Sequence, residues 1–290
     1  MNILTFDIEE WYDYRRLEKC AEFDRYLDAI LEKLDERSIK ATFFCVGEMG
    51  RLFPEVLRKI HSHGHEIGCH SNTHTWLNKM SEQDCREDTH RAIANLEECV
   101  GEKVLSYRAP AFSIGSTNKW SFEILAEEGI ERDTSIFPAE RDFGGFPNFE
   151  CEGPCVVDYN GIRIKEFPIS ITSFFGKKMA YSGGGYFRLF PLRFVKKEIE
   201  NNEYAICYFH IGDLIPESHR VMNREEYESY FKEPGTLKAR YMRYFKSNLG
   251  KKTAFEKMFK LIDCLSFVGL GEADKIIDWQ KVPVVNINNI

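Results

Sequence analysis

The residues of this chain best suited to chemistry stand where apolar runs end. Asp7 and Glu9 follow ILTF, His70 follows EIGC, Arg108 follows VLSY and His210 follows ICYF. The segment HSNTH, residues 70–74, holds two imidazoles four positions apart. If that turn is helical the rings share a face, and two imidazoles with one carboxylate make a three-ligand divalent site with positions open to water and substrate. Each residue alone has a plainer reading. A histidine at a strand end is usually structural, an arginine in a strand is usually an ion-pair partner, and this chain has eight histidines to scatter over its surface. Their joint position at the ends of successive apolar runs is what points to a catalytic face.

Strands and helices must alternate to bring those ends together, and the hydrophobic pattern does alternate. Strands are predicted at 2–8, 41–46, 65–70, 103–108, 162–168 and 204–210. Between them, Leu27, Ile30, Leu31 and Leu34 follow the i, i+3, i+4, i+7 rule of a helix with one buried stripe. Ser81 and Asp84 make a capping pattern for a helix that buries Ile93, Leu96 and Val100 and stops at Gly101. Pro54 and Pro191 stand where first helical turns begin. In a parallel barrel the C-terminal strand ends form one face, where active sites are built. Residues 138–160 show neither period and read as a long surface excursion. A stripe running through Tyr241, Tyr244, Phe245, Leu249, Phe255, Met258, Phe259 and Ile262 is predicted to pack on the barrel or on a second subunit.

Composition narrows the classes. With 46 acidic and 39 basic residues the formal net charge is −7, so no basic field is available for a phosphate backbone and a nucleic-acid partner is disfavoured. The start, MNILTFDIEEWYDY, lacks the basic region and long apolar stretch of an export signal. No window approaches the roughly 18 to 20 apolar residues of a membrane span. Nine cysteines, an odd and scattered set, suit buried free thiols in a reducing compartment. A soluble, cytoplasmic protein is expected.

TFDIEEW at 5–11, HSNTH at 70–74, RAP at 108–110, DTS at 133–135 and FH at 209–210 together resemble, in order and spacing, the polysaccharide deacetylases, the NodB-homology domain of carbohydrate esterase family four. The resemblance covers roughly residues 1–215. DIEEWY, YRAPAFSI, DTSIFP and GGGYFRLFP look like the subgroup found in exopolysaccharide gene clusters, with a C-terminal helical extension. It implies an α/β fold, a distorted (β/α)7 barrel over 1–215 with 216–290 packed against it, and a divalent metal, zinc by family habit. Carried over, His70 and His74 match metal ligands, Asp7 the catalytic base, Arg108 the arginine that orients it, and His210 the general acid. The backbone N–H of Ala111 matches an oxyanion donor. Position 8 is Ile where the common motif has a second aspartate, so the metal carboxylate is assigned to Glu9. Asp133 falls in a motif whose usual second acid and tryptophan are absent, which leaves its role open.

The chemistry implied is hydrolysis of an N-acetyl group on an amino sugar of a polysaccharide or its lipid-linked or nucleotide-linked precursor, in the cytoplasm or at the inner membrane surface. A divalent ion would acidify water and polarise the acetyl carbonyl, while an aspartate and an imidazolium move the protons. The same site could hydrolyse a non-carbohydrate amide, and a non-catalytic saccharide-binding module is a third reading. Strand parity supports the carboxylate assignment independently. Leu4, Phe6 and Ile8 share one face and Ile3, Thr5, Asp7 and Glu9 the other, which leaves Glu10 pointing away. Tyr186, in GGGYFR, could stack on a sugar ring or merely follow a tight turn. Trp11, Tyr12 and Tyr14 line a saccharide groove or pack in the core. A homo-oligomer is compatible with the sequence.

Overall fold

The strand Asn2–Ile8 is buried from Ile3 onward because it lies between two parallel neighbours, Ala205–His210 and Thr42–Cys45. A computed structural model describes residues 1–9, 12–13, 18–19, 21–141, 144–174, 176–215, 221–231 and 233–290. From Thr42–Cys45 the parallel order continues through Glu66–Cys69, Ser106–Tyr107, Arg132–Asp133 and Ile162–Glu166. Cys155–Tyr159 then pairs antiparallel with Ile162–Glu166, and Val284–Asn286 adds a parallel strand at the far edge. The class is α/β with a mostly parallel sheet, as expected. Among the described residues the pairings run in an open order from Ala205–His210 to Val284–Asn286, and no ladder joins those two ends.

Helices pack behind the first strand and set which of its faces is apolar. Leu4, Phe6 and Ile8 join the core that Leu27, Ile30, Leu31 and Leu34 of the helix Ala21–Glu36 face, while Ile3 joins a separate inner cluster with Phe44, Phe112, Ile206 and Tyr208. The two faces thus divide as strand parity predicts. Ser81 caps Glu82–Val100 in a full capping box with Asp84, and Gly101 ends it at φ 77°. Pro54 opens Pro54–Ser62, and Pro191 caps Leu192–Asn201.

One sequence expectation is corrected and another is met only in part. Residues 138–160 are not a surface excursion: Phe146 and Phe149 are buried in the core and Cys155–Tyr159 is a strand. Isolated aromatics can anchor an irregular segment without any period. The predicted tail stripe also splits. Met258 and Ile262 of the helix Lys251–Cys264 are buried, but Tyr241, Phe245 and Leu249 are exposed. Of the eight described cysteines, six are buried, Cys151 is half-buried and Cys264 is exposed. Glu10, Trp11, Tyr14, Cys20 and the Tyr12 side chain lie outside the described residues.

Candidate metal centre and acid–base site

Glu9, immediately beyond the first strand, meets the HSNTH loop from two strands away. Its Oε2 is 2.7 Å from His74 Nε2 and 3.2 Å from His70 Nε2, and the three donor atoms lie within 4.8 Å of one another. The loop is not helical, so helical phase does not bring the rings together. Left-handed backbone at Ser71 (φ 60°) and His74 (φ 58°) does, and the ring centroids lie 5.1 Å apart. Such conformations are costly for non-glycine residues and persist only where the surroundings impose them. Here Gly47 N–H donates to the Ser71 carbonyl, Glu48 N–H to the Asn72 carbonyl, and Asn72 N–H to Asp88 Oδ2 at 2.8 Å. Gly47 has no alternative: a Cβ there would stand 2.5 Å from Ala92 Cα.

The donor set fits a divalent ion. His70 Nδ1 is 2.7 Å from the Arg108 carbonyl, an acceptor that holds the proton on Nδ1 and leaves the Nε2 lone pair facing Glu9. A lone pair 3.2 Å from a carboxylate oxygen is stable only with a cation or a proton between them. Burial opposes the charge on Glu9, but the surrounding imidazoles, His74 and His210 foremost, hold its carboxyl well below the usual range. Two imidazoles and a carboxylate suit zinc and its neighbours.

Beside this cluster lies a dry ion pair. Arg108 Nη1 donates to Asp7 Oδ1 at 2.6 Å, with both side chains 1% exposed. The guanidinium lies over the Phe44 ring, 4.3 Å from its centroid. Its Nε and Nη2 have no partner among the described residues. The other Asp7 oxygen faces His210 Nε2 at 3.4 Å, and that nitrogen is 4.0 Å from Glu9 Oε1. The other His210 nitrogen, Nδ1, is 3.1 Å from Asp213 Oδ2. Burial works against the imidazolium, but Glu9, the Asp213 hydrogen bond and Asp7 outweigh it and push His210 up to about 10.

Sequence reasoning missed Asp213 and the arginine behind it. Arg188 Nη1 donates to Asp213 Oδ1 and to the Ser247 carbonyl, and Nη2 donates to the Lys246 carbonyl. Burial disfavours the Asp213 carboxylate, yet His210, Arg188 and Lys251 hold it below its ordinary value. A signal was present: Asp213 is one helical turn after His210, and Arg188 interrupts the apolar run YFRLF. Gly183, in the same motif, allows the close approach, since a Cβ there would stand 2.5 Å from the Tyr208 carbonyl.

The remaining candidates sit apart from these contacts. Asp133 is fully buried, accepts from Ser135 Oγ at 2.6 Å and from Ser135 N–H at 3.1 Å, and Ser135 Oγ in turn accepts from Ala109 N–H. It therefore braces the backbone next to Arg108. Burial raises both Asp133 and its neighbour Glu166, Glu166 the more strongly. Ala111 takes φ 53°, strained for alanine, inside the short turn that follows Arg108. Tyr186 is 38% exposed on the helix Gly184–Leu189.

Residues 2–131 match the family model of the polysaccharide deacetylases. They belong to that family. A second model, a domain of unknown function (DUF3473), matches residues 134–273, so the deacetylase match ends before His210 and Asp213. Among curated relatives, a peptidoglycan-N-acetylglucosamine deacetylase of Bacillus cereus is 28% identical over 138 residues, 42% of this chain and 50% of the relative. A chitooligosaccharide deacetylase of Sinorhizobium fredii is 31% identical over 99 residues, 33% of this chain and 42% of the relative. The chain thus spans half or less of these two relatives. In overall fold the chain is similar to a candidate polysaccharide deacetylase from Mycobacterium smegmatis, with TM-score 0.59 and 18% identity over 97% of this chain and 91% of the other. It is also similar to PuuE allantoinase, with TM-score 0.55 and 15% identity over 99% and 87% of the two chains. Among the described residues no helix is long and apolar enough to cross a membrane.

Proposed function

We propose that the chain is a metal-dependent hydrolase that removes N-acetyl groups from amino sugars of a polysaccharide or its precursor. The observation that carries this reading is the meeting, in a deacetylase-family domain, of the Glu9–His70–His74 donor set with an aspartate and an imidazole whose polar atoms lie 3.4 Å apart. Glu9, His70 and His74 would hold a divalent ion, zinc first among candidates, supplying Lewis acidity toward the acetyl carbonyl.

Asp7 is the base. One oxygen is committed to Arg108, and the other faces the site, ready to accept a proton from the attacking water. His210, pushed up to about 10, carries a proton at neutral pH and delivers it from Nε2 to the leaving amine. Asp213 keeps the other ring nitrogen occupied and so fixes which nitrogen faces the substrate. The Ala111 N–H steadies the developing oxyanion, Tyr186 stacks on a sugar ring, and Asp133 acts only through Ser135 and the Arg108 backbone.

Incubating zinc-loaded protein with a panel of N-acetylated saccharides and measuring released acetate and the mass of the product tests the reading. Loss of acetyl from at least one amino sugar is expected, and His210→Ala should slow it about 10²-fold to 10⁴-fold with metal retained. Loss of metal in that variant, or an inert panel with turnover of a non-carbohydrate amide, would overturn the assignment.

A further inference from the structure

The helix Leu237–Asn248 is built inside out. None of its residues is fully buried, and its exposed side carries Leu237 (64% exposed), Tyr241 (46%), Met242 (50%) and Phe245 (65%), with Leu249 (60%) just beyond. Lys238 and Lys246 share that side. At about 100° per residue these seven positions fall within one half of the helix circumference. Its two arginines face the protein. Arg243 lies over the Phe231 ring at 4.1 Å, Arg240 donates to the Met222 carbonyl at 3.1 Å, and Arg188 holds the carbonyls of Lys246 and Ser247. Leu189, next to that arginine, is 57% exposed.

A twelve-residue helix with no buried side chain is marginal in water, and a contiguous apolar face on a soluble surface marks a docking site. Charge indicates the occupant. The exposed side of the helix holds Lys238 and Lys246 and no acid. A second copy docked through the same face would oppose lysine to lysine, which disfavours self-association. Large apolar side chains flanked by lysines, with a tyrosine able to sit at headgroup depth, are what an interfacial membrane helix presents.

We infer that Leu237–Asn248 seats the protein on a bilayer bearing anionic lipids, with Phe245 and Leu249 entering the acyl boundary and Lys238 and Lys246 at the headgroups. This goes beyond the proposed hydrolysis and does not depend on it. The test is co-sedimentation of the full chain with vesicles of phosphatidylcholine alone or mixed with phosphatidylglycerol. Binding to the anionic vesicles is expected to be about tenfold tighter or more and to weaken with salt. Phe245→Ser with Leu249→Ser should abolish it, and Lys238→Gln with Lys246→Gln should remove the preference for anionic lipid. Both pairs are exposed, so circular dichroism should match the parent. The inference is overturned if neither vesicle retains the protein, if the serine variant binds as the parent does, or if light scattering finds a dimer that the serine variant dissolves.

Discussion

Two carboxylate–arginine pairs lie beside the Glu9–His70–His74 cluster, and they are built differently. Asp7–Arg108 is dry, each side chain 1% exposed, and one Asp7 oxygen still faces the reacting region. In Asp213–Arg188 the carboxylate is 25% exposed and both oxygens are engaged, one by Arg188 and one by His210. The first leaves a lone pair for chemistry, and the second spends all it has on orientation. The pairs also come from different parts of the chain: Asp7 and Arg108 lie in the deacetylase match, while Arg188, His210 and Asp213 lie in the region matched as a domain of unknown function. Neither region alone holds the full proposed acid–base set.

The sharpest way to break this comparison is at Asp7. Asp7→Asn should lower kcat about 10²-fold to 10⁴-fold with full metal content by elemental analysis, whereas Glu9→Gln should lose metal. The reverse pattern would exchange their roles. Next in size, Arg108→Met strands a buried carboxylate and should cost about 3–5 kcal/mol in urea unfolding. The same change at Arg188 should cost less, because water reaches Asp213, and equal losses would erase the distinction. Asp213→Asn should reduce kcat about 10-fold to 100-fold with KM nearly unchanged. Asp213 stabilises the charged form of His210, so its loss lowers the His210 pKa. An acid's activity falls as pH rises through its pKa, so the alkaline limb of the kcat profile should move to lower pH. An unmoved limb would remove Asp213 from the acid site. The smallest change is expected for Arg188→Lys, which keeps the charge but loses the fork to two carbonyls, about 1 kcal/mol of stability.

Six of the residues brought together here were legible because each ends a strand or lies within five positions of a strand end, where hydrophobic pattern and polar residue meet. Asp213 was legible only through its spacing from His210, since the four-residue helix Ile211–Leu214 that carries it is too short to show a period. Arg132–Asp133 and Val284–Asn286 are strands of two and three residues that exist only through their partners. The apolar stripe of Leu237–Asn248 was legible, but its direction was not. Periodicity reveals that a helix has an apolar side, not which way that side is turned, and Lys251–Cys264, three residues on, turns its own inward.

The strand that carries Asp7 is fastened by residues far along the chain. Leu4 N–H donates to the Val268 carbonyl, Val268 N–H donates back to the Asn2 carbonyl, and Asn2 also reaches the Ser266 carbonyl. During synthesis, Glu9, His70, His74 and Arg108 are all available within the first 108 residues, whereas His210 and the segment that secures the first strand emerge much later. Closing so long a loop is entropically slow, and topologies with distant partners fold late. On the proposed roles, the nascent chain is therefore expected to gather the Glu9–His70–His74 set well before it acquires His210, so that metal capture precedes catalytic competence.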